Sequence, residues 1–223
     1  MHQQISKRII IYLFLFFLFT TISNNQINNL NFFKIKKIQV SGLSIIDNEK
    51  LKKDISYIID KNLFFLNKFD IKKKIYSNEI VEKFSVFINY PSTLKIEIKQ
   101  TKFLAVTQKN GQNFYIGSNG KFIKTDNLPN DLPFVFGNID QHQFLKFKDI
   151  IDSSNYDYAK IKNLFFFQSQ RWDLENHDGI LIKLPKFNAK KSLNILNRLL
   201  VKEEFKNIKI FDFRSNSQII MNE

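Results

Sequence analysis

No cysteine occurs among the 223 residues, which removes disulfides, thiolate metal sites and cysteine nucleophiles together. Glycine is scarce, at six residues, and none stands in a G-x-G-x-x-G or G-x-x-x-x-G-K spacing, so phosphate-cradling loops are absent. Histidine is confined to His2, His142 and His177, and no two share a helical or strand spacing, so no metal site is expected. There is no G-x-S-x-G elbow to raise a serine nucleophile. Arginine supplies only four of the 34 basic residues, Arg8, Arg171, Arg198 and Arg214. The net charge of +13 is therefore carried by lysines spread along the whole chain, not by a stripe that would follow a phosphate backbone. Together with abundant Asn, Ile and Phe, this matches codon drift in an A/T-rich genome, and nucleic acid is not expected as a partner.

Long apolar runs are also few. Ile9 to Ile22 (IIIYLFLFFLFTTI) is the clearest, 14 residues without charge after Lys7 and Arg8, the arrangement of a segment whose N-terminus stays in the cytoplasm. It is shorter than the about 20 residues that span a hydrocarbon core, so a signal-peptide core competes with an anchor. No Ala-x-Ala cleavage site follows, and no charge appears before Lys34, so an uncleaved anchor over 9–30 behind a cytoplasmic tail of 1–8 is the favoured reading. Release by cleavage, giving a secreted periplasmic binding protein or enzyme, is the alternative.

Hydrophobic residues at 43% and charged residues at 25% are ordinary for a globular chain. FKIKKIQV (33–40) reads as a strand ending at Gly42. Asp47 is placed to cap a helix over 47–60 with Leu51, Ile55, Ile58 and Ile59 as its buried stripe, and Asp70 to cap a second carrying Ile71 and Ile75. Phe84, Val86, Ile88 and Tyr90, then Leu94, Ile96 and Ile98, alternate as a hairpin with one wet face. This first module, 33–100, is strand, helix, helix, strand, strand, an α+β unit with the helices on one sheet face.

Beyond residue 100, Asn110-Gly111, Asn119-Gly120 and Asp178-Gly179 mark tight turns. They separate strands expected at 103–108, 113–117, 121–124, 162–168, 171–176 and 180–184. Helices are expected at 143–152, with Phe144, Phe147, Ile150 and Ile151, and at 189–203, with Leu193, Leu196, Leu199 and Leu200. Strands at 207–213 and 218–221 close this second, mixed β module, 101–223, and nothing later in the sequence covers the last of them.

Few groups carry chemistry. Asp173, Glu175 and Asp178 lie close in sequence, yet solvated charge around a hairpin explains them better than acid–base work. Trp172 reads as a core plug before an interface anchor. Arg214, near Asp212 and an open edge, either braces a salt bridge or frames a docking site, and sequence alone does not separate the two.

The order of these motifs resembles the FtsQ/DivIB family of bacterial cell-division proteins. The I-x-x-I-x-V-x-G opening of its POTRA domain is matched by Ile35, Ile38, Val40 and Gly42, and its P-x-T-L-x-I-x-I hairpin by Pro91, Thr93, Leu94, Ile96 and Ile98. An LP-x-x-x-G is present as Leu132, Pro133 and Gly137, an R-W-x-L as Arg171, Trp172 and Leu174, a G-x-x-I-x-L-P as Gly179, Ile182, Leu184 and Pro185, and a D-x-R as Asp212 and Arg214. Departures occur where the family has E-R-x-P-x-A and this chain has Gln100, Thr101, Phe103 and Ala105, and where Ser215 follows the D-x-R.

The resemblance implies a single-pass type II inner-membrane protein, mostly periplasmic and acting at the division septum. It implies a non-enzymatic scaffold without cofactors or a small-molecule substrate. FtsB-like and FtsL-like coiled-coil proteins are the implied partners, with FtsK-like and FtsW-like proteins beyond them. An open last strand lets a partner segment extend the sheet. The expected partner-binding residues are Arg171, Phe213, Arg214, Ser215, Ser217, Gln218, Ile219 and Ile220.

Overall fold

The computed structural model describes residues 7–21, 33–125, 131–215 and 218–223. Residues 22–30 of the expected anchor, and Ser217, lie outside them. An apolar helix, α1 (Lys7–Thr21), comes first. Among the described residues no helix is long and apolar enough to cross a membrane.

The chain divides into two units, 1–78 with 83–99, and 79–82 with 100–223. In the first, β1 (Lys37–Ser41) is followed by α2 (Ile45–Asp54), 3-10 turns at Ser56–Ile58 and Leu63–Phe65, α3 (Lys68–Tyr76), β2 (Val81–Asn89) and β3 (Thr93–Gln100). The sheet order is β1-β3-β2, with β1 parallel to β3. Leu51, Ile55 and Ile58 are buried, with Ile71 and Ile75 of α3 and Leu94, Ile96 and Ile98 of β3.

Three expectations are corrected here. The first helix is capped by Ser44, whose Oγ accepts from the Asp47 N–H at 3.1 Å, and the second by Asn67, whose Oδ1 accepts from the Phe69 N–H at 3.0 Å. Both aspartates instead stand three residues inside, where a carboxylate still favours the positive end of the helix dipole. Ile59 is exposed because the α-helix stops at Asp54 and a 3-10 turn changes the phase of the stripe. In β2 alternation fails, since Val86, Phe87 and Ile88 are all exposed on this edge strand.

The second unit holds a nine-stranded sheet. Its strands are β4 (Phe103–Lys109), β5 (Gln112–Gly117), β6 (Phe122–Lys124), β7 (Phe134–Phe136), β8 (Ile161–Phe166), β9 (Trp172–Asn176), β10 (Leu181–Lys183), β11 (Ile210–Asp212) and β12 (Ile220–Asn222). Their spatial order is β12-β11-β10-β9-β8-β7-β4-β5-β6. The pairs β4–β7, β7–β8 and β10–β11 are parallel. Helices α4 (Gln141–Asp152) and α5 (Ala189–Leu199) supply Phe144, Phe147, Ile151, Leu193 and Leu196 to one core with Leu164, Leu174, Ile182 and Phe211 of the strands. A capping box starts α4: the Asp140 carboxylate accepts from the Gln143 N–H at 2.8 Å and the Gln143 side chain accepts in return at 3.1 Å. The helix expected over 189–203 ends at Leu199, and a separate 3-10 turn follows at Glu203–Phe205.

Strand β7 was not expected. FVF between Pro133 and Gly137 is too short and too uniformly apolar to show alternation, because it sits between two parallel neighbours inside the sheet. Gly137, at φ +108°, closes it where a Cβ would come within 2.3 Å of the Phe166 carbonyl oxygen, so only glycine fits.

Candidate functional site

At one end of the nine-stranded sheet β12 pairs with β11 alone, through Ile210↔Asn222, Phe211↔Met221 and Asp212↔Ile220. Among the described residues no strand lies on its other side. Backbone groups on that side are a template for a further strand.

Register sets out the face beside this edge. Lys183 on β10 lies opposite Asp173 on β9 and opposite Asp212 on β11, and Asp212 lies opposite Ile220. Paired residues share a face, so Asp173, Lys183, Asp212 and Ile220 form one row leading to the open edge. Each carboxylate is held by an arginine two residues away in its own strand segment. The Arg214 Nε donates to both oxygens of Asp212, at 2.8 and 2.9 Å, its Nη2 donates to Oδ2 as well, and its N–H donates to Oδ1 at 3.0 Å. The Arg171 Nε donates to Asp173 Oδ1 at 3.2 Å, with the guanidinium 4.4 Å from the Phe167 ring centre. Three cations thus meet two carboxylates, leaving the row positive.

The two carboxylates are pushed in opposite directions. Side-chain hydrogen bonds from Arg214 hold the Asp212 carboxyl below its ordinary value, outweighing burial. Asp173 is 4% exposed, and that burial raises its carboxyl against the pull of Arg171 and, more weakly, Arg214. The solvated charge expected at Asp173 is therefore corrected to a buried one. Glu175 and Asp178 are tied differently, accepting from Asn163 Nδ2 at 2.8 Å and Asn176 Nδ2 at 3.2 Å, and do not converge with Asp173 on a reaction centre.

On the opposite face, a groove of 550 Å³ runs between β12 and α5, lined among others by Phe187, Lys191, Ile195, Phe213, Ile219 and Met221. Of the expected docking residues, Arg171 and Arg214 are brought together around Asp173. Ile219 half-faces the groove, Gln218 and Ile220 are exposed, and Ser215 is half-buried. Phe213 is 6% exposed and belongs to the core, with only its rim on the groove, because its N–H is tied to the Lys183 carbonyl at 2.9 Å. The expected last strand, 218–221, is observed as Ile220–Asn222, starting two residues later and ending one later. Lys183, Phe187, Lys191 and Ile195 went unnoticed as site residues, and Asp173 was considered only as solvated charge; the spacing of Ile195 along α5 was the available signal for the groove wall.

Trp172 is a core plug: it stacks on Phe147 at 4.5 Å between ring centres and packs tilted on Phe166 at 4.8 Å. No group of three or more metal-ligating side chains occurs among the described residues.

Two family models match in tandem. The FtsQ-type POTRA domain covers residues 33–100, and the C-terminal domain of cell division protein FtsQ/DivIB covers 105–214. This chain belongs to the FtsQ/DivIB family. Curated relatives agree: it is 24% identical over 170 residues to cell division protein FtsQ of Rickettsia bellii, covering 75% of this chain and 63% of that protein. Against cell division protein FtsQ of Bradyrhizobium diazoefficiens it is 24% identical over 179 residues, 79% of this chain and 52% of the relative. Against cell division protein DivIB of Bacillus subtilis it is 26% identical over 135 residues, 58% and 49%. The matches thus span about half to two-thirds of these relatives. The site described here falls at the end of the FtsQ/DivIB C-terminal domain and just past it, since Gln218 to Met221 follow the last matched residue.

Proposed function

We propose that this FtsQ/DivIB protein is a divisome scaffold, held at the inner membrane through residues 9–30 with its bulk in the periplasm. It works by binding other division proteins, not by catalysis. An extended segment of an FtsB-like protein, with an FtsL-like protein beside it, adds to β12 as a further strand. Its alternate side chains enter the groove against α5, and an acidic residue meets the positive row at Arg214 and Arg171.

The observation that carries this reading is β12 itself, an edge strand with a groove of mixed lining on one face, apolar at Ile195, Ile219 and Met221 and polar at Ser192, Ser215 and Gln218, and a net-positive row on the other. Main-chain hydrogen bonds supply affinity in strand addition, and the flanking side chains supply identity. A guanidinium beside an acidic partner group makes a charge-assisted bond, stronger than a neutral one.

The test is pull-down of the full chain by FtsB-like periplasmic segments, compared with a chain lacking residues 214–223. Binding should be lost while thermal unfolding stays cooperative. Unchanged binding by the shortened chain sinks the docking assignment, though not membership of the family.

A further inference from the structure

One end of the first unit gathers features that docking at β12 does not use. Three chain segments meet there. Lys34 bridges Asn62, the Ile35 N–H donates to the Lys61 carbonyl at 3.0 Å, and the Lys36 N–H donates to the Ser92 carbonyl at 2.8 Å. The approach to β1, the turn before α3 and the β2–β3 turn therefore share one pole. Phe33 packs edge-on against Phe64 at 5.0 Å and Tyr90 at 6.4 Å between ring centres.

This pole is apolar and open. Phe64 is 63% exposed, Phe65 62%, Phe69 72% and Tyr90 63%. The half of β2 that approaches the same turn adds Phe87 and Ile88. A soluble monomer rarely leaves so many large apolar side chains exposed at one end unless something covers them. Lys34, Lys36 and Lys61 belong to the segments that meet at this pole, and Lys68 directly precedes Phe69. Aromatics backed by lysines are the composition of a bilayer interface, where rings enter the headgroup layer and ammonium groups reach anionic lipid.

The chain's path supplies the occupant. Phe33 follows the apolar helix α1 by only eleven residues, 22–32, so the pole is where the first unit receives the chain from that helix. The far end carries Ile45 and Ile46: β1 leads away from the pole for about 17 Å, and α2 starts beyond it and returns.

We propose that this pole is a membrane-contact surface, seating the first unit on an anionic bilayer with Phe64, Phe65 and Phe69 in the interface. The inference rests on α1 being in that bilayer.

The absence of cysteine allows single spin labels at will. The full chain in nanodiscs of phosphatidylethanolamine and phosphatidylglycerol would carry Phe16→Cys in α1, Phe65→Cys at the pole, or Ile46→Cys at the far end. All three positions are exposed, so the labels leave the core intact. Oxygen and nickel-chelate collision rates should place the label at 16 at acyl depth, at 65 in the headgroup zone and at 46 in water. In a Lys61→Glu, Lys68→Glu chain, the label at 65 should move toward its aqueous value. An aqueous reading at 65 with acyl depth at 16 overturns the pole and leaves the anchor standing. Aqueous readings at both overturn the two together. A label at 65 that stays aqueous on lipid and is immobilised only when an FtsB-like segment is added assigns the pole to a protein instead.

Discussion

At the residue scale the face beside the β12 edge turns on two aspartates with opposite titration. Asp212 has its folded value lowered, so its contribution to stability is complete above the ordinary carboxylate value of 3.8 and disappears as pH falls through the folded value. Asp212→Asn should remove that acid limb and lower stability at neutral pH by about 1 kcal/mol, a modest figure because the guanidinium is partly exposed. Asp173 has its folded value raised, so the folded protein takes up its proton first, and the cost of the buried charge is relieved as pH falls toward 3.8. Asp173→Asn should therefore equal or exceed the parent in stability at pH 7, with the difference vanishing on acidification. Urea unfolding of both variants at a series of pH values reads both signs, and a Asp173→Asn chain weaker at neutral pH would contradict the assignment. Sequence showed Asp212 beside Arg214 but not the burial of Asp173, which depends on a register across three strands that no local pattern reports. A steric prediction belongs here too. Gly42 sits at φ +106° with a would-be Cβ 1.8 Å from the Ile98 carbonyl oxygen, so Gly42→Ala should destabilise the first unit by on the order of 3 kcal/mol in thermal unfolding.

At the element scale the amphipathic pieces were legible and their ends were not. Leu51, Ile55 and Ile58, then Phe144, Phe147 and Ile151, stand buried as their periodicity requires. Both helix starts in the first unit were placed three residues late for one physical reason. Asp47 and Asp70 occupy the third helical position, where each also takes a hydrogen bond from the true cap, Ser44 Oγ at 2.6 Å and Asn67 Nδ2 at 2.7 Å. A carboxylate there resembles a cap in sequence because it answers the same unsatisfied N–H groups. Asp140→Ala, which removes half of a capping box, should cost about 1 kcal/mol in chemical unfolding, and Asp140→Asn much less, since an amide oxygen still accepts from the Gln143 N–H. Equal losses in the two variants would place the effect in charge and not in the cap. The parallel crossings through β7 escaped notice because three apolar residues carry no period.

At the scale of the whole molecule, the nine-stranded sheet has two ends, and their chemistry differs. Edge strand β6 (FIK) is bracketed by Lys121 and Lys124, and the Lys109 ammonium lies 3.7 Å from the Phe122 ring centre. Lysine on an edge discourages a foreign strand, because its charge would have to be desolvated beside the new ladder. Edge strand β12 (IMN) carries no lysine, and the groove against α5 lies alongside it. The asymmetry is what a chain would need to leave one end open for a chosen partner and the other closed. Moving the guard should therefore close the site. Ile220→Lys places an ammonium on an exposed position of β12, so folding should change by no more than about 0.5 kcal/mol. Affinity for an FtsB-like segment should fall about tenfold, or about 1.4 kcal/mol. Lys124→Ile, the reverse change at β6, should leave that affinity alone while promoting self-association, readable by sedimentation at rising concentration. If Ile220→Lys bound its partner as tightly as the parent, the added strand would have to lie elsewhere than on β12.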